Sequence, residues 1–486
     1  MTLLAVLLLL AAGHGLIRLV TGTWPVRLLG PLAAAGLSFL AGAVAVGLLT
    51  TYAAVTGLTT RPWAVVAPVL IVLAVAGVAP SNLARRMRID RSAQAPGFGG
   101  ATWADGAVAA AVAVIGTVTL WGIGHVPVRS NDEWAIWAIR GRTLSLTGHL
   151  DPHVFAGTLA NYQHLDYPLL VPSLIAWGDG LRGRTDDYSA HVLLIAVVLA
   201  MLVVLGWALN RLAGPFAGVV GVLLVAGTPR LMSRWALLLM ADTTLVAFVV
   251  ALFAVLALWL TSRDPRLLAI AAVLGCGAAA TKVEGLLFVL AAFAAALICA
   301  RGQRRAVLLG FGVVVASALP WVAWTKVHHI ESDLINSTTL TLHHVRVVAP
   351  YSWLSVRQMA RYWPASGWLL VIACLAVLAV ALTVPRLRGL VAFLGIGFAV
   401  STLGMWAQYV ISAGQQLTGQ AGADSLARHF ASSATRVLMV PAILLTLAIP
   451  LFAGALLRSD PAPAGDPASA DPVDAEDAAA WQSLRR

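Results

Sequence analysis

Run after run of about 20 apolar residues, broken by short arginine-bearing turns, constrains this chain more than any other feature. A segment of that length crosses ~30 Å of hydrocarbon as a helix, because only a helix satisfies its own backbone N–H and C=O groups where no water can. The 486 residues are 60% hydrophobic and only 11% charged, too little charge to clothe a soluble globule of that length. The runs are continuous rather than alternating, which excludes a transmembrane β-barrel. The expected fold class is therefore all-α, a polytopic transmembrane helical bundle.

About thirteen spans are expected, near residues 2–20, 28–56, 63–84, 105–126, 188–209, 215–232, 241–261, 267–281, 284–300, 306–325, 366–384, 389–410 and 437–457. The N-terminal apolar run lacks a basic leader, so it reads as a retained first span rather than a signal peptide. The turns "RRMRIDR" (85–91), "RDPR" (263–266), "RGQRR" (301–305) and "PRLR" (385–388) should face the cytoplasm. Between two of them lie residues 267–300, about 51 Å as one helix, too long for a single span. With both flanks basic, the segment should fold as a short hairpin whose tip, "TKVEG" at 281–285, approaches the outer side. Segments 127–187, 326–365 and 411–436 then fall outside as loops carrying interfacial helices. The tail 458–486, rich in Pro, Ala and Asp, cannot build a core and reads as disordered and cytoplasmic.

The net charge of +11 is no nucleic-acid signature, since the basic residues are scattered over short turns with no basic stripe. All but two of them are arginine, and with abundant Ala, Gly and Val this suits a GC-rich bacterial genome. Cys276, Cys299 and Cys374 lie within or beside apolar runs and form no disulfide or metal pattern.

Against this background "VRSNDEWAIWAIRGR" (128–142) stands out. Ser130 and Glu133 have capping-box spacing, and Asp132 would sit in a first helical turn where its charge meets the dipole. Trp134, Trp137 or Ala138, and Gly141 would share one face of a helix at the membrane interface. A cap can also hold a carboxylate in place for chemistry, so the structural and functional readings are compatible. Later in the same segment comes "HLDYPLLVP" (164–172), followed by a span.

This layout of span, Asp-Glu, amphipathic segment, Tyr-Pro segment and span resembles the GT-C glycosyltransferases, polytopic enzymes that use a polyprenyl-phosphate sugar. It looks most like the branch related to protein O-mannosyltransferases and the lipid A aminoarabinose transferase. "LLLMADTTLVAF" (237–248) resembles that family's acidic position at the outer start of a helix, here Asp242. "GAAATKVEGLLF" (277–288) is similar to its Lys-containing junction, here Lys282 and Glu284. "SSATRVLMVPAILL" (432–445) resembles the opening of the last span, with Arg436 in the basic position. The resemblance covers residues 105–457 as a catalytic membrane domain, and residues 1–104 would be additional N-terminal helices.

What the resemblance implies is transfer of a sugar from a polyprenyl monophosphate to a cell-envelope glycan, lipid or protein on the external side of the bacterial plasma membrane. Phosphate is already a competent leaving group, so one carboxylate acting as base suffices, unlike the paired acids of glycosidases. A single backside displacement inverts the anomeric centre. Asp132 is the candidate base, with Glu133 positioning substrate or taking that role. Asp242, Lys282, Glu284 and Arg436 are candidate substrate-binding residues. Lys282, one of two lysines in the chain, is costly in an apolar hairpin unless Glu284 or Asp242 pairs with it. Arg436 suits bidentate phosphate contact, or simple anchoring at the interface. No cofactor is expected. A divalent metal at His328, His329, His343 and His344 with Glu331 and Asp333 fits no compact ligand spacing. Two other readings compete: a transporter or flippase of a lipid-linked sugar, which would also place ionisable groups in the membrane, and a non-catalytic subunit of an envelope assembly complex.

Overall fold

A computed structural model of the protein describes residues 1–61, 64, 66–78, 102–123, 128, 130–150, 164–228, 231, 235–300, 302–332, 339, 341–363, 367–412 and 419–457. The expectations for the basic turn 85–91 and the tail 458–486 lie outside these residues. Every regular element among them is helical. Helices α1 (Thr2–Thr21) and α2 (Pro31–Val55) are followed by the short α3 (Ala67–Val78) and by α4 (Trp103–Ile123). Two further helices, α5 (Ile139–Thr147) and α6 (Leu170–Arg182), lead to α7 (Asp187–Ala213), α8 (Pro215–Ala226) and α9 (Ala241–Ser262). Next come α10 (Pro265–Ala279), α11 (Val283–Cys299) and α12 (Arg304–Val327). The final third holds α13 (Ser352–Arg361), α14 (Gly367–Thr383), α15 (Arg388–Ser412), α16 (Gly419–Val437) and α17 (Met439–Leu457).

Among the described residues eight helices are long and apolar enough to cross a membrane: α1, α2, α4, α7, α9, α12, α15 and α17. The other five expected spans are also helices, but α3, α8, α10, α11 and α14 contain only 12 to 17 residues in their described parts. At 1.5 Å per residue, 15 residues reach about 22 Å, short of the full hydrocarbon thickness. The protein is thus a multi-pass helical bundle in which the arms α10 and α11 are shorter than a full span. Its axis is α9, enclosed by α7, α10, α11 and α17.

The first helices are built into this bundle. A Cβ at Gly13 would lie 1.7 Å from the Ser38 carbonyl oxygen and one at Gly42 2.0 Å from that of Leu9, so α1 and α2 cross backbone to backbone. Helix α2 packs in turn on α6, α7 and α10.

The segment 267–300 folds as the expected hairpin, but more tightly. Helices α10 and α11 leave only residues 280–282 between them, so Glu284 stands in the first turn of α11 rather than in the tip. The arms touch where a Cβ on Gly285 would fall 1.9 Å from the Ala278 carbonyl oxygen. The Leu170 N–H donates to the Ala280 carbonyl at 3.0 Å and ties the tip to the start of α6.

The segment 127–187 is less superficial than expected. Trp137 is buried and Gly141 packs against Ile175 and the Pro172 carbonyl, so the helical stretch from 131 to 147 turns its inner face to α6, itself buried from Leu170 to Gly180. Trp134 alone of the expected face remains half exposed. The segment 411–436, expected as an external loop with an interfacial helix, contains the amphipathic helix α16 over its described residues.

Candidate functional site

The acidic stretch at 130–133 folds as its spacing predicts. The Ser130 N–H donates to Glu133 Oε2 at 2.9 Å, and the Glu133 N–H returns a bond to Ser130 Oγ at 3.2 Å, a reciprocal capping box. The second oxygen of Glu133 reaches much further. It accepts from the Leu239 N–H at 2.9 Å, in the turn that starts α9. Glu133 is fully buried, with both oxygens on backbone donors. A wider π-helical turn, Glu133–Ala138, follows before α5 begins. Glu133 therefore clamps the helix start bearing Asp132 against the turn before Asp242.

Across this clamp the remaining charges converge. Asp242 lies in the first turn of α9, Lys282 at the start of α11, Glu284 two residues on, and Arg436 in the last turn of α16. Lys282 Nζ donates to Asp242 Oδ1 at 3.1 Å and stands 3.5 Å from Glu284 Oε1. Arg436 Nη1 donates to Asp132 Oδ2 at 2.6 Å and lies 3.8 Å from Asp242 Oδ2. Gln408 Nε2 donates to Glu284 Oε1 at 3.4 Å. Burial of such charges is tolerable only because each cation meets two carboxylates. The pairs differ in access: the Asp132 side chain is 31% exposed, whereas those of Asp242 and Glu284 are 7% and 4%.

Asp242, Lys282, Glu284, Gln408 and Arg436 line a cavity of about 80 Å³ with Tyr167, His164, Tyr409, Ser433 and His429. Five of the six residues singled out from sequence thus meet directly or through one shared partner, and four of them, Asp242, Lys282, Glu284 and Arg436, line the cavity itself. Glu133 lies behind it and shapes it.

No residue of the neutral half of the lining was assigned a role from sequence, although His164 and Tyr167 fall in the stretch "HLDYPLLVP". Tyr167 carries the Lys282 ammonium 5.2 Å from its ring centre and stacks on His164 at 4.7 Å and Trp137 at 5.6 Å. The turn from His164 to Tyr167 is held by Arg140, a fully buried guanidinium that donates to the backbone carbonyls of both. Tyr409 and Ser433 share a hydroxyl contact of 2.8 Å, and His429 meets the Tyr409 ring edge-on at 5.1 Å. Burial, then the neighbouring His164 and Arg436, hold the His429 imidazole below its usual range, neutral at pH 7. The signal for these residues was the spacing 429, 433, 436, one face of a helix, hidden while the segment passed for a loop.

The histidine pairs lie in separate settings. His328 Nδ1 bonds the Trp324 carbonyl at 2.8 Å and His344 Nε2 that of Ile411 at 2.7 Å, while Asp333 lies outside the described residues. Among the described residues no three His, Cys, Asp or Glu side chains gather as a metal site.

No family model matches the chain, and no curated protein does. Among solved structures it is similar to that of ArnT from Cupriavidus metallidurans bound to undecaprenyl phosphate, at 19% identity and a TM-score of 0.48 over 73% of this chain. The match spans 60% of that protein's length. The same protein in the apo state matches at 18% identity and a TM-score of 0.37, over 73% of this chain and 77% of that one.

Proposed function

We propose that the protein is an inverting membrane glycosyltransferase of GT-C type, taking a sugar from a polyprenyl monophosphate and passing it to a cell-envelope glycan, lipid or protein. The observation that carries this reading is the meeting of two cations and three carboxylates in one network, four of the five groups lining a polar cavity at one end of the bundle. A lipid phosphate and a sugar need such a boundary: cations at the edge of the hydrocarbon, and hydrogen-bonding groups beyond it.

In the proposed step an acceptor hydroxyl attacks the anomeric carbon from the side opposite the phosphate. The new C–O bond forms as the bond from that carbon to the phosphate oxygen breaks, and the proton passes to Asp132. The leaving oxygen keeps the electron pair, and polyprenyl phosphate departs with its charge met by Arg436 and Lys282. Asp242 and Glu284 hold Lys282, and Glu133 positions Asp132 through the backbone.

The external side of the bacterial plasma membrane suits this chemistry, because nucleotide sugars stay in the cytoplasm and lipid-linked donors do not. Asp242 and Arg263 stand at opposite ends of α9, whose 22 residues span about 33 Å. Basic turns therefore lie at the far end from the site, which supports an external cavity.

The test is release of polyprenyl phosphate from polyprenyl-phosphate sugars by the purified protein in detergent. Asp132→Asn should lower turnover at least about 100-fold, and Glu133→Gln should lose thermal stability along with activity. Unchanged turnover in Asp132→Asn removes it as the base. Protein that carries a lipid-linked sugar across liposomes without transferring it would sink the transferase reading.

A further inference from the structure

We infer that Asp132 and the donor phosphate compete for Arg436, so that donor binding itself releases the base. This rests on the glycosyltransferase reading and concerns the regulation of the same site. Both cations in the cavity are already matched: Lys282 by Asp242 and Glu284, Arg436 by Asp132 and Asp242. The cavity of about 80 Å³ is far below the roughly 300–1,000 Å³ of a small-molecule site, so a phosphate and its sugar enter only by displacing something.

Access decides which group yields. Taking a cation from Asp242 or Glu284 would leave a carboxylate with almost no contact with water, the costliest outcome for a buried charge. Asp132 is 31% exposed and can be rehydrated when its partner leaves. The exchange that costs least is thus the one in which Arg436 turns from Asp132 to the phosphate, a guanidinium moving from one oxyanion to another.

Two consequences follow. Asp132, bonded through Oδ2 to a guanidinium at 2.6 Å, has both oxygens open to an acceptor hydroxyl once the phosphate takes that guanidinium. Donor binding therefore frees the base for the acceptor. And because the pair opposes donor binding, removing the Asp132 charge should strengthen that binding while abolishing transfer. A carboxylate whose only task is to engage substrate would give the reverse.

The experiment measures binding of undecaprenyl monophosphate to the full chain in nanodiscs, which needs no turnover. Asp132→Asn should bind about ten-fold tighter than the unaltered protein, and Arg436→Gln about ten-fold weaker. The double variant should bind no tighter than Arg436→Gln alone, since the gain exists only through the arginine. Asp132→Glu, which keeps the charge, should bind within about two-fold of the unaltered protein. Equal or weaker binding by Asp132→Asn would overturn the exchange, as would a gain that survives in the double variant. The same tightening towards phosphatidylglycerol would also overturn it, because net charge rather than exchange would then be the cause. A protein that binds in this pattern yet never releases polyprenyl phosphate from a donor sugar would keep the exchange and lose the transferase reading.

Discussion

Asp132 and Glu133 are neighbours in the chain with opposite surroundings. The capping box between Ser130 and Glu133 was legible because it is local, three residues of helix geometry. The bond from Glu133 to the Leu239 N–H was not, because no spacing announces a partner 106 residues away. The same limit hid Arg140, whose burial depends on two carbonyls of the turn at 164–167. A quieter residue, Asp179 in α6, offers a test of burial by pH. Burial pushes its carboxyl up to about 6, against the opposing effects of the Asp186 N–H and Arg142. Its Oδ2 meets no hydrogen-bond partner among the described residues. The unfolded chain ionises Asp179 near 4 and the folded chain only near 6. Stability from this group is therefore full below about pH 4, falls between pH 4 and 6, and is lowest above. Asp179→Asn keeps the acceptor for Asp186 and should raise the midpoint of thermal unfolding at pH 7.5, by an amount equivalent to about 2 kcal/mol, with little change at pH 4. An equal shift at both pH values would show that charge is not the cause.

At the scale of elements, hydropathy located the eight membrane-length helices among the described residues, and the pattern of basic flanks anticipated the hairpin of α10 and α11. It did not give the length of the tip, which depends on how closely two backbones can approach. Gly285 sets that distance, leaving no room for a side chain against Ala278. Gly285→Val should separate the arms and shift Lys282 and Glu284, destabilising the protein by about 1–3 kcal/mol as judged by thermal unfolding in detergent. Undiminished stability and activity would mean that the hairpin tolerates separation. The bounds of helix α16 were not legible in hydropathy: with a polar face and low hydrophobicity it offers no span signal. It nevertheless supplies His429, Ser433 and Arg436 to the cavity.

For the whole molecule, composition alone indicated a membrane bundle, because a chain so apolar has no other way to satisfy its surface. Composition could not show that α1 and α2 are woven into that bundle, since backbone crossing depends on glycines facing a partner helix. The two ends of the molecule should prove unequal in a direct way. In a background lacking the three native cysteines, Thr147→Cys should react with an impermeant maleimide from outside intact cells, and Arg305→Cys only after the membrane is breached. Labelling of both from one side would remove the external donor from the proposed function. The short hairpin has a bearing on such topology. Its two arms enter and leave at the same end of the bundle, so it contributes an even number of crossings whatever depth its tip reaches. The chain could lengthen, shorten or lose that excursion without inverting any helix that follows. Parity thus leaves the tip free to vary in reach, and with it the height at which Lys282 stands.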